Sequence, residues 1–297
     1  MAMSDKPVKF AIFLSLILSL VAFWDHHLTS YLKEFVVLIH EICHASAALF
    51  TGGMVKGIAL HGNEGGETIA TPASFRGSFI LVVSAGYIGS SLVGGLLLKL
   101  GFSGRNARQT LILFGLFLIS VSLLYSKLGE LAYFTGIFWG VGILVIGMLG
   151  ESISILTLVF LGTSISLYSI YDLSDFADRL HETDAGILAF WMSGLTPEDL
   201  NHEEIPAAVL FLGYLIATLW SLLSIGIIYF FLKGSLGEYH PEEAHAEQNP
   251  LDRFEKFPGD LSPEAKLWLE KRGVDPESGV VVPPEFLADF PPNDQRT

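Results

Sequence analysis

The sequence predicts an all-α polytopic membrane protein with six to seven transmembrane helices, one small β-hairpin and an irregular C-terminal tail. Of its 297 residues, 51% are hydrophobic and only 16% are charged, whereas soluble domains usually carry about 25% charged residues. The mean hydropathy is +0.51. Several uncharged stretches also reach the roughly 20 residues that a helix needs to cross a hydrocarbon core. A soluble globular domain of this size would need more polar surface.

The charge balance argues against other classes of protein. The formal net charge is −14 and the Lys and Arg residues form no cluster, so no nucleic-acid partner is expected. The high hydrophobicity excludes intrinsic disorder for most of the chain, and a single cysteine cannot form an internal disulfide framework. Residues 233–297 hold 14 acidic residues and most of the prolines. We therefore expect a membrane-embedded domain over residues 1–232 and an acidic, proline-rich, mostly disordered tail over residues 233–297.

Seven stretches are candidates for membrane spans. The segment from Phe10 to Trp24 is short and follows two lysines, but no small-residue cleavage site follows it, so we interpret it as a retained span. The count is six if this segment only lies at the interface. The stretch from Tyr31 to Phe50 is apolar but contains ionisable residues. The other five are uncharged and lie between Arg76 and Lys99, Arg108 and Lys127, Glu130 and Glu151, Glu151 and Asp172, and Glu204 and Lys233.

Two intervals between these stretches are too polar to span a membrane. In residues 51–75, the short runs Val55–His61 and Glu67–Thr71 flank a glycine-rich turn, which predicts a β-hairpin. Residues 172–204 form an acidic insert with nine acidic residues. Within it, a short helix is predicted from Asp184 to Gly194, behind a cap at Thr183 and Asp184.

The run Ser84–Gly95 is rich in small residues. Gly86, Ser90 and Gly94 lie four apart on one helix face. This pattern is typical of surfaces where two membrane helices pack closely.

The strongest functional signal is His40-Glu41-Ile42-Cys43-His44, which matches the pattern H-E-x-x-H. Residues i and i+4 share one helix face, so both imidazoles can bind one metal ion while Glu41 reaches a metal-bound water. Ionisable side chains inside a span are costly and therefore indicate function. The motif predicts zinc, which takes nitrogen and oxygen ligands and activates water for attack on a carbonyl. The alternative is that these side chains only pair with one another across the bundle.

A third metal ligand is expected from the acidic insert. The candidates are Asp172, Asp175, Asp178, His181, Glu182 and Asp184. Four crossings separate the His40 helix from the insert, so both emerge on the same membrane face. Asp172 ends an uncharged helix, where a carboxylate is disfavoured unless a cation is near. Asp184 opens the next helix, where a cap is its ordinary role. The pattern of residues leaves both open.

At these residues the chain resembles the site-2-type intramembrane zinc metalloproteases, especially their compact bacterial and plant members. The resemblance implies that His40, His44 and a distant aspartate bind one zinc ion, that Glu41 is the general base, and that a small sheet follows the metal-binding helix. Asp184 is the closest counterpart of the family's aspartate and Asp172 is the second choice; the Asn and Pro of the family's pattern are missing. The matching segments are Phe35–Gly53, the hairpin with Gly65 and Gly66, Ser84–Gly95, Leu167–Asp172 and Thr183–Ala185.

The function that the resemblance implies is a zinc endopeptidase that cleaves in or near the transmembrane segments of membrane proteins, in regulated intramembrane proteolysis. Its expected partners are a membrane protein or peptide substrate, which an exposed hairpin edge could hold by main-chain hydrogen bonds, and the lipid bilayer. One alternative is a catalytically inactive scaffold or regulator of the same fold. Another is a divalent-metal transporter, against which the lack of a second His/Glu motif in the later spans argues.

The expected location is a cell (inner) membrane, which the chain crosses several times. Lys and Arg residues favour the cytoplasmic side of a membrane. Their distribution, six against four, places the N-terminus and the insert with Asp184 in the cytoplasm and the tail outside.

Overall fold

The computed structural model describes residues 6–24, 26–62, 65–171, 183–195 and 205–237, together with Leu267 and Lys271. The chain divides into two compact units, residues 1–239 and residues 240–297. In the second unit, the Lys271 amide donates to the Leu267 carbonyl oxygen at 3.1 Å. The domain boundary at residue 233 stays a prediction, and nearly all of the tail predicted to be disordered lies outside the described residues.

The described part of the first unit consists of eight α-helices and one two-stranded sheet. The helices are α1 (Lys6–Phe23), α2 (Ser30–Phe50), α3 (Arg76–Ser103), α4 (Ala107–Tyr125), α5 (Leu131–Leu149), α6 (Glu151–Tyr171), α7 (Asp184–Ser193) and α8 (Ala207–Gly237). The strands β1 (Met54–His61) and β2 (Gly65–Thr71) pair antiparallel and follow α2. The predicted hairpin and the predicted short helix that begins at Asp184 are confirmed.

Within the described residues, five helices, namely α3, α4, α5, α6 and α8, are long and apolar enough to cross a membrane. Large hydrophobic side chains cover their outer faces: Leu113, Phe138 and Phe230 are 66%, 68% and 71% exposed. Such extensive apolar surface fits contact with lipid rather than with water. The helical membrane fold is therefore confirmed, whereas the total of six to seven spans stays a prediction.

Helix α2 lies in the interior of the bundle, where α3, α5, α6 and both strands enclose it. It begins about halfway along α5. There the Tyr31 carbonyl oxygen accepts a hydrogen bond from the indole Nε1 of Trp139 at 3.1 Å, and the rings of Phe35 and Trp139 stack at 4.5 Å. From there α2 runs towards the end of the bundle where α3 begins. Its polar motif therefore lies near that end.

Helix α1 runs in the same direction as α2. At one end of the bundle, the Lys9 ammonium donates to the carbonyl oxygen of Ser235 near the end of α8, at 3.3 Å. Farther along α1, the ring of Trp24 lies 6.5 Å from that of Tyr168, and the ammonium of Lys33, near the start of α2, lies 5.4 Å from the centre of the same indole ring. Together, α1 and α2 make one passage through the bundle.

This arrangement corrects the predicted placement of the N-terminal end of the membrane unit. The start of α1 and the end of α8 lie together, opposite the hairpin, whereas the sequence predicted the N-terminus beside the hairpin and the tail opposite. The predicted position of the N-terminus is wrong because it counted α1 and α2 as two crossings in opposite directions, whereas the end of α8 lies opposite the hairpin as predicted.

Helices α3 and α6 pack with their backbones close together. A Cβ atom on Gly94 would lie 2.8 Å from the backbone nitrogen of Ser166 and 3.0 Å from the carbonyl oxygen of Gly162. Small residues at such contacts allow membrane helices to approach closely. The predicted close-packing role is confirmed for Gly94, while Gly86 of the same run lies elsewhere, as described below.

We expect Gly94→Ala to lower the free energy of unfolding by about 1–3 kcal/mol, because overpacking forces the helices apart. The measurement is the midpoint of thermal unfolding of the purified protein in detergent. Gly142→Ala is the matched control, since no atom lies within 4 Å of a Cβ at that position. Equal midpoints for the two variants would contradict the close contact between α3 and α6.

Candidate metal centre

The centre is built on one buried face of α2. His40, Glu41 and His44 are only 6%, 6% and 7% exposed. The two imidazole rings lie one helical turn apart, with centroids 4.8 Å apart. As the H-E-x-x-H spacing predicts, both rings face the same neighbouring groups.

Asp184 reaches this face from α7. The Thr183 hydroxyl oxygen caps the helix by accepting a hydrogen bond from the Gly186 amide at 3.2 Å, as the sequence predicts. The buried side of α7 packs on α3 and α8 in a cluster that includes Ala185, Leu188, Phe190, Val83, Tyr87, Val209, Ile216 and Trp220. This packing holds the first residue of α7 over the two histidines.

The carboxylate of Asp184 lies between the two imidazoles. Its Oδ2 atom is 3.0 Å from Nε2 of His40 and 3.0 Å from Nε2 of His44. The three possible ligand atoms lie within 4.8 Å of one another, and no other group of three or more His, Cys, Asp or Glu side chains in the described residues is arranged to hold a metal ion. The structure thus brings together the two histidines and the first-choice aspartate.

The hydrogen bonding of His44 fits a cation at this point. Its Nδ1 atom lies 2.7 Å from the carbonyl oxygen of Val82, and a carbonyl only accepts hydrogen bonds. Nδ1 therefore carries the proton, and in a neutral imidazole Nε2 is then an acceptor. Because Nε2 faces the carboxylate oxygen of Asp184 at 3.0 Å, either a proton on Nε2 or a metal ion has to lie between the two atoms. Two imidazole nitrogens and a carboxylate oxygen are a suitable donor set for a divalent metal ion.

Gly86 of α3 leaves the space that such an ion would need. A Cβ atom there would lie 2.5 Å from Nε2 of His44 and closer still to Nε2 of His40. Only glycine keeps this volume free. The Ser84–Gly95 run was interpreted as helix packing, so its contribution to the centre was missed.

Two tyrosines form an aromatic wall beside His40. The ring of Tyr87 meets His40 edge-on at 4.7 Å, and the ring of Tyr168 does so at 6.0 Å. Tyr87 in turn stacks on Trp220 of α8 at 5.6 Å. These rings pack against His40 and restrict its orientation.

Glu41 points towards the hairpin. Its Oε2 atom accepts a hydrogen bond from the Thr68 hydroxyl at 2.7 Å, and Gly66 lies against the same carboxylate. Neither contact was predicted, although Gly66 and Thr68 stand two residues apart in a strand and therefore share one face.

The remaining candidates for a third ligand lie outside the described residues. They are Asp172, the second choice, together with Asp175, Asp178, His181 and Glu182. The assignment of Asp184 as the third ligand, and of Glu41 as the general base, stays a prediction.

The fold and the site define a helical membrane protein in which two buried histidines and a partly buried aspartate lie beside a glutamate, which is the arrangement of a metallopeptidase. A family model described as Peptidase M50B-like matches residues 13–231, which is more than half of the chain. The chain belongs to this family, a site-2 protease family, and is an integral membrane protein. No curated protein and no solved structure matches it.

We expect Gly86→Ala to abolish metal binding, because the new methyl group takes the position between the two Nε2 atoms. The measurement is the metal content of the purified protein by elemental analysis, together with its unfolding midpoint. Gly226→Ala in α8 is the control, since nothing lies within 4 Å of a Cβ there. A Gly86→Ala protein that retains a full equivalent of metal would show that the ion does not bind at this place.

Proposed function

We propose that this protein is an intramembrane zinc endopeptidase that hydrolyses peptide bonds in or near the transmembrane segments of membrane proteins, in regulated intramembrane proteolysis. The observation that carries the proposal is the approach of the Asp184 carboxylate to within 3.0 Å of both His40 and His44 in a chain of a peptidase family. Glu41, next to the first histidine, is the acid that such chemistry requires.

His40, His44 and Asp184 would hold one zinc ion through two nitrogens and one oxygen, which leaves the fourth position of a tetrahedral site open. When bound, zinc supplies Lewis-acid polarisation of the scissile carbonyl and lowers the pKa of water. Val82 keeps His44 in the tautomer that offers Nε2. The chain itself therefore supplies the ligands and their orientation.

Glu41 would act as the proton carrier. Its buried carboxylate takes a proton from the attacking water and returns it to the amide nitrogen that leaves. The surrounding helices exclude bulk water from this step. Because Asp184 is the most exposed of the four side chains, at 18%, we propose that water and substrate reach the centre from the side of α7.

The substrate must present an extended segment to the centre. A peptide bond within a helix is shielded by its own hydrogen bonds, so a transmembrane substrate has to unwind locally before cleavage. The hairpin next to Glu41 offers strand edges that could hold such a segment by main-chain hydrogen bonds.

We also propose that the chain crosses a cell membrane six times, five times by α3, α4, α5, α6 and α8 and once by α1 and α2 together. Lys6 and Lys9 at the start of α1 predict a cytoplasmic N-terminus. The contact of Lys9 with Ser235 then supports a cytoplasmic position for the end of α8 as well.

The alternative, a scaffold or regulator that retains the fold without cleaving anything, is separated from an enzyme by a cleavage assay and not by zinc content. The probe is a set of quenched fluorescent peptides with apolar segments, presented in detergent micelles. Cleavage that requires the metal and is lost on chelation supports the peptidase.

We expect Glu41→Gln to lower the cleavage rate by about 100- to 10,000-fold, the usual contribution of a general base. The zinc content and the unfolding midpoint should stay unchanged, because glutamine has the same shape and the ligands are intact. Glu34→Gln on the same helix is the control and should cleave normally. Full activity of Glu41→Gln would exclude the mechanism.

The third ligand is tested by comparing Asp184→Asn with Asp172→Asn. We expect Asp184→Asn to weaken zinc binding by more than the 10–100-fold typical of changes in the groups that support metal ligands, because a charged ligand is lost. Asp172→Asn should bind zinc like the unaltered protein in a competition titration with a chromogenic chelator. The reverse result would transfer the role to Asp172.

A further inference from the structure

The inner face of the hairpin packs against α2. In the antiparallel register, Ile58 pairs with Thr68 and Leu60 pairs with Gly66. Ile58 and Leu60 are only 2% and 8% exposed and belong to the main apolar core. Since alternate residues of a strand share a face, Gly66 and Thr68 lie on the side of β2 that faces α2.

The Thr68 hydroxyl donates a hydrogen bond to Glu41. Its Oγ1 atom lies 2.7 Å from Oε2 of the Glu41 carboxylate and 2.8 Å from the Glu41 backbone oxygen. A hydroxyl has one proton to donate, and a carboxylate is the stronger acceptor. The backbone oxygen also lies inside α2, where helical hydrogen bonding already uses it. Thr68 therefore donates its hydrogen bond to the Glu41 carboxylate.

Gly66 closes the other side of the same carboxylate. A Cβ atom at this position would lie 2.6 Å from Oε1 and 2.7 Å from Cγ of Glu41. Any other residue would displace the side chain. Glu41 is thus held between a hydrogen-bond donor and a backbone surface, both supplied by β2.

We propose that Thr68 is a positioning residue for Glu41. Its hydroxyl holds the carboxylate in one rotamer, so that the carboxylate meets the attacking water in a single orientation. The proposal rests on the proposed function, in which Glu41 carries the proton. Misplacement of a reacting group by about 1 Å can cost about 100-fold in rate, so the loss of this hydrogen bond should be visible in catalysis.

The first test compares Thr68→Val, which removes the hydroxyl at nearly constant volume, with Thr68→Ser, which retains it. Thr71→Val is the matched control, since Thr71 is an exposed residue of the same strand. We expect Thr68→Val to lower kcat by up to about 100-fold with KM, zinc content and unfolding midpoint unchanged. Thr68→Ser should restore most of the rate, and Thr71→Val should leave it unaltered.

Three results in this assay would overturn the proposal. They are a normal kcat in Thr68→Val, an equal loss in Thr68→Ser, or a loss that follows a lower unfolding midpoint. A different result, no cleavage by the unaltered protein itself, would count against the proposed function and not against the contact between Thr68 and Glu41.

A second test measures the hydrogen bond between Thr68 and Glu41 by infrared spectroscopy and does not depend on a cleavage assay. The difference in infrared spectra between the unaltered protein and Glu41→Gln identifies the carboxyl band of Glu41. We expect Thr68→Val to shift this band, because a hydrogen bond to Oε2 is lost, and Thr68→Ser to leave it in place. A band that does not move in Thr68→Val would show that Thr68 does not hold the carboxylate.

Discussion

His40, Glu41, His44 and Asp184 meet at the polar face of α2, and much of the architecture serves to satisfy these four ionisable side chains. Burying a carboxylate or an imidazole among apolar helices is costly unless each finds a partner. Asp184 faces both imidazoles. The Val82 carbonyl oxygen accepts a hydrogen bond from His44, and the Thr68 hydroxyl donates one to Glu41. Each partner comes from a different element, so α3, β2 and α7 all have to meet α2 at one level.

Close approach at that level depends on the absence of side chains. Gly86 lies over the imidazoles and Gly66 lies against the carboxylate, while a Cβ on Gly89 would lie 2.7 Å from Cβ of Cys43. These glycines lie on the two elements, α3 and β2, that contact the polar face of α2. The apolar clusters around α2 and around α7 then hold the elements in place.

Much of the fold could be predicted from the sequence, because the hydropathy of a long uncharged stretch and a glycine-rich turn are local properties. Pairing of the two histidines was likewise readable from their spacing. The course of α1 and α2 could not be predicted, because the composition of an apolar segment does not show whether it crosses the membrane alone or together with its neighbour. The roles of Thr68 and Gly86 also depend on which elements meet in space, and the residues themselves had other ordinary interpretations. The pattern of residues left Asp184 among several acids, and the family resemblance made it the first choice before its position in the fold was known.

The contact between Lys9 and the end of α8 has a practical consequence. Because the start of α1 and the end of α8 lie together, opposite the hairpin, an affinity handle attached before Lys6 or after Gly237 should not obstruct the metal centre. Immobilising the protein by either handle would leave the hairpin and α7 facing outward.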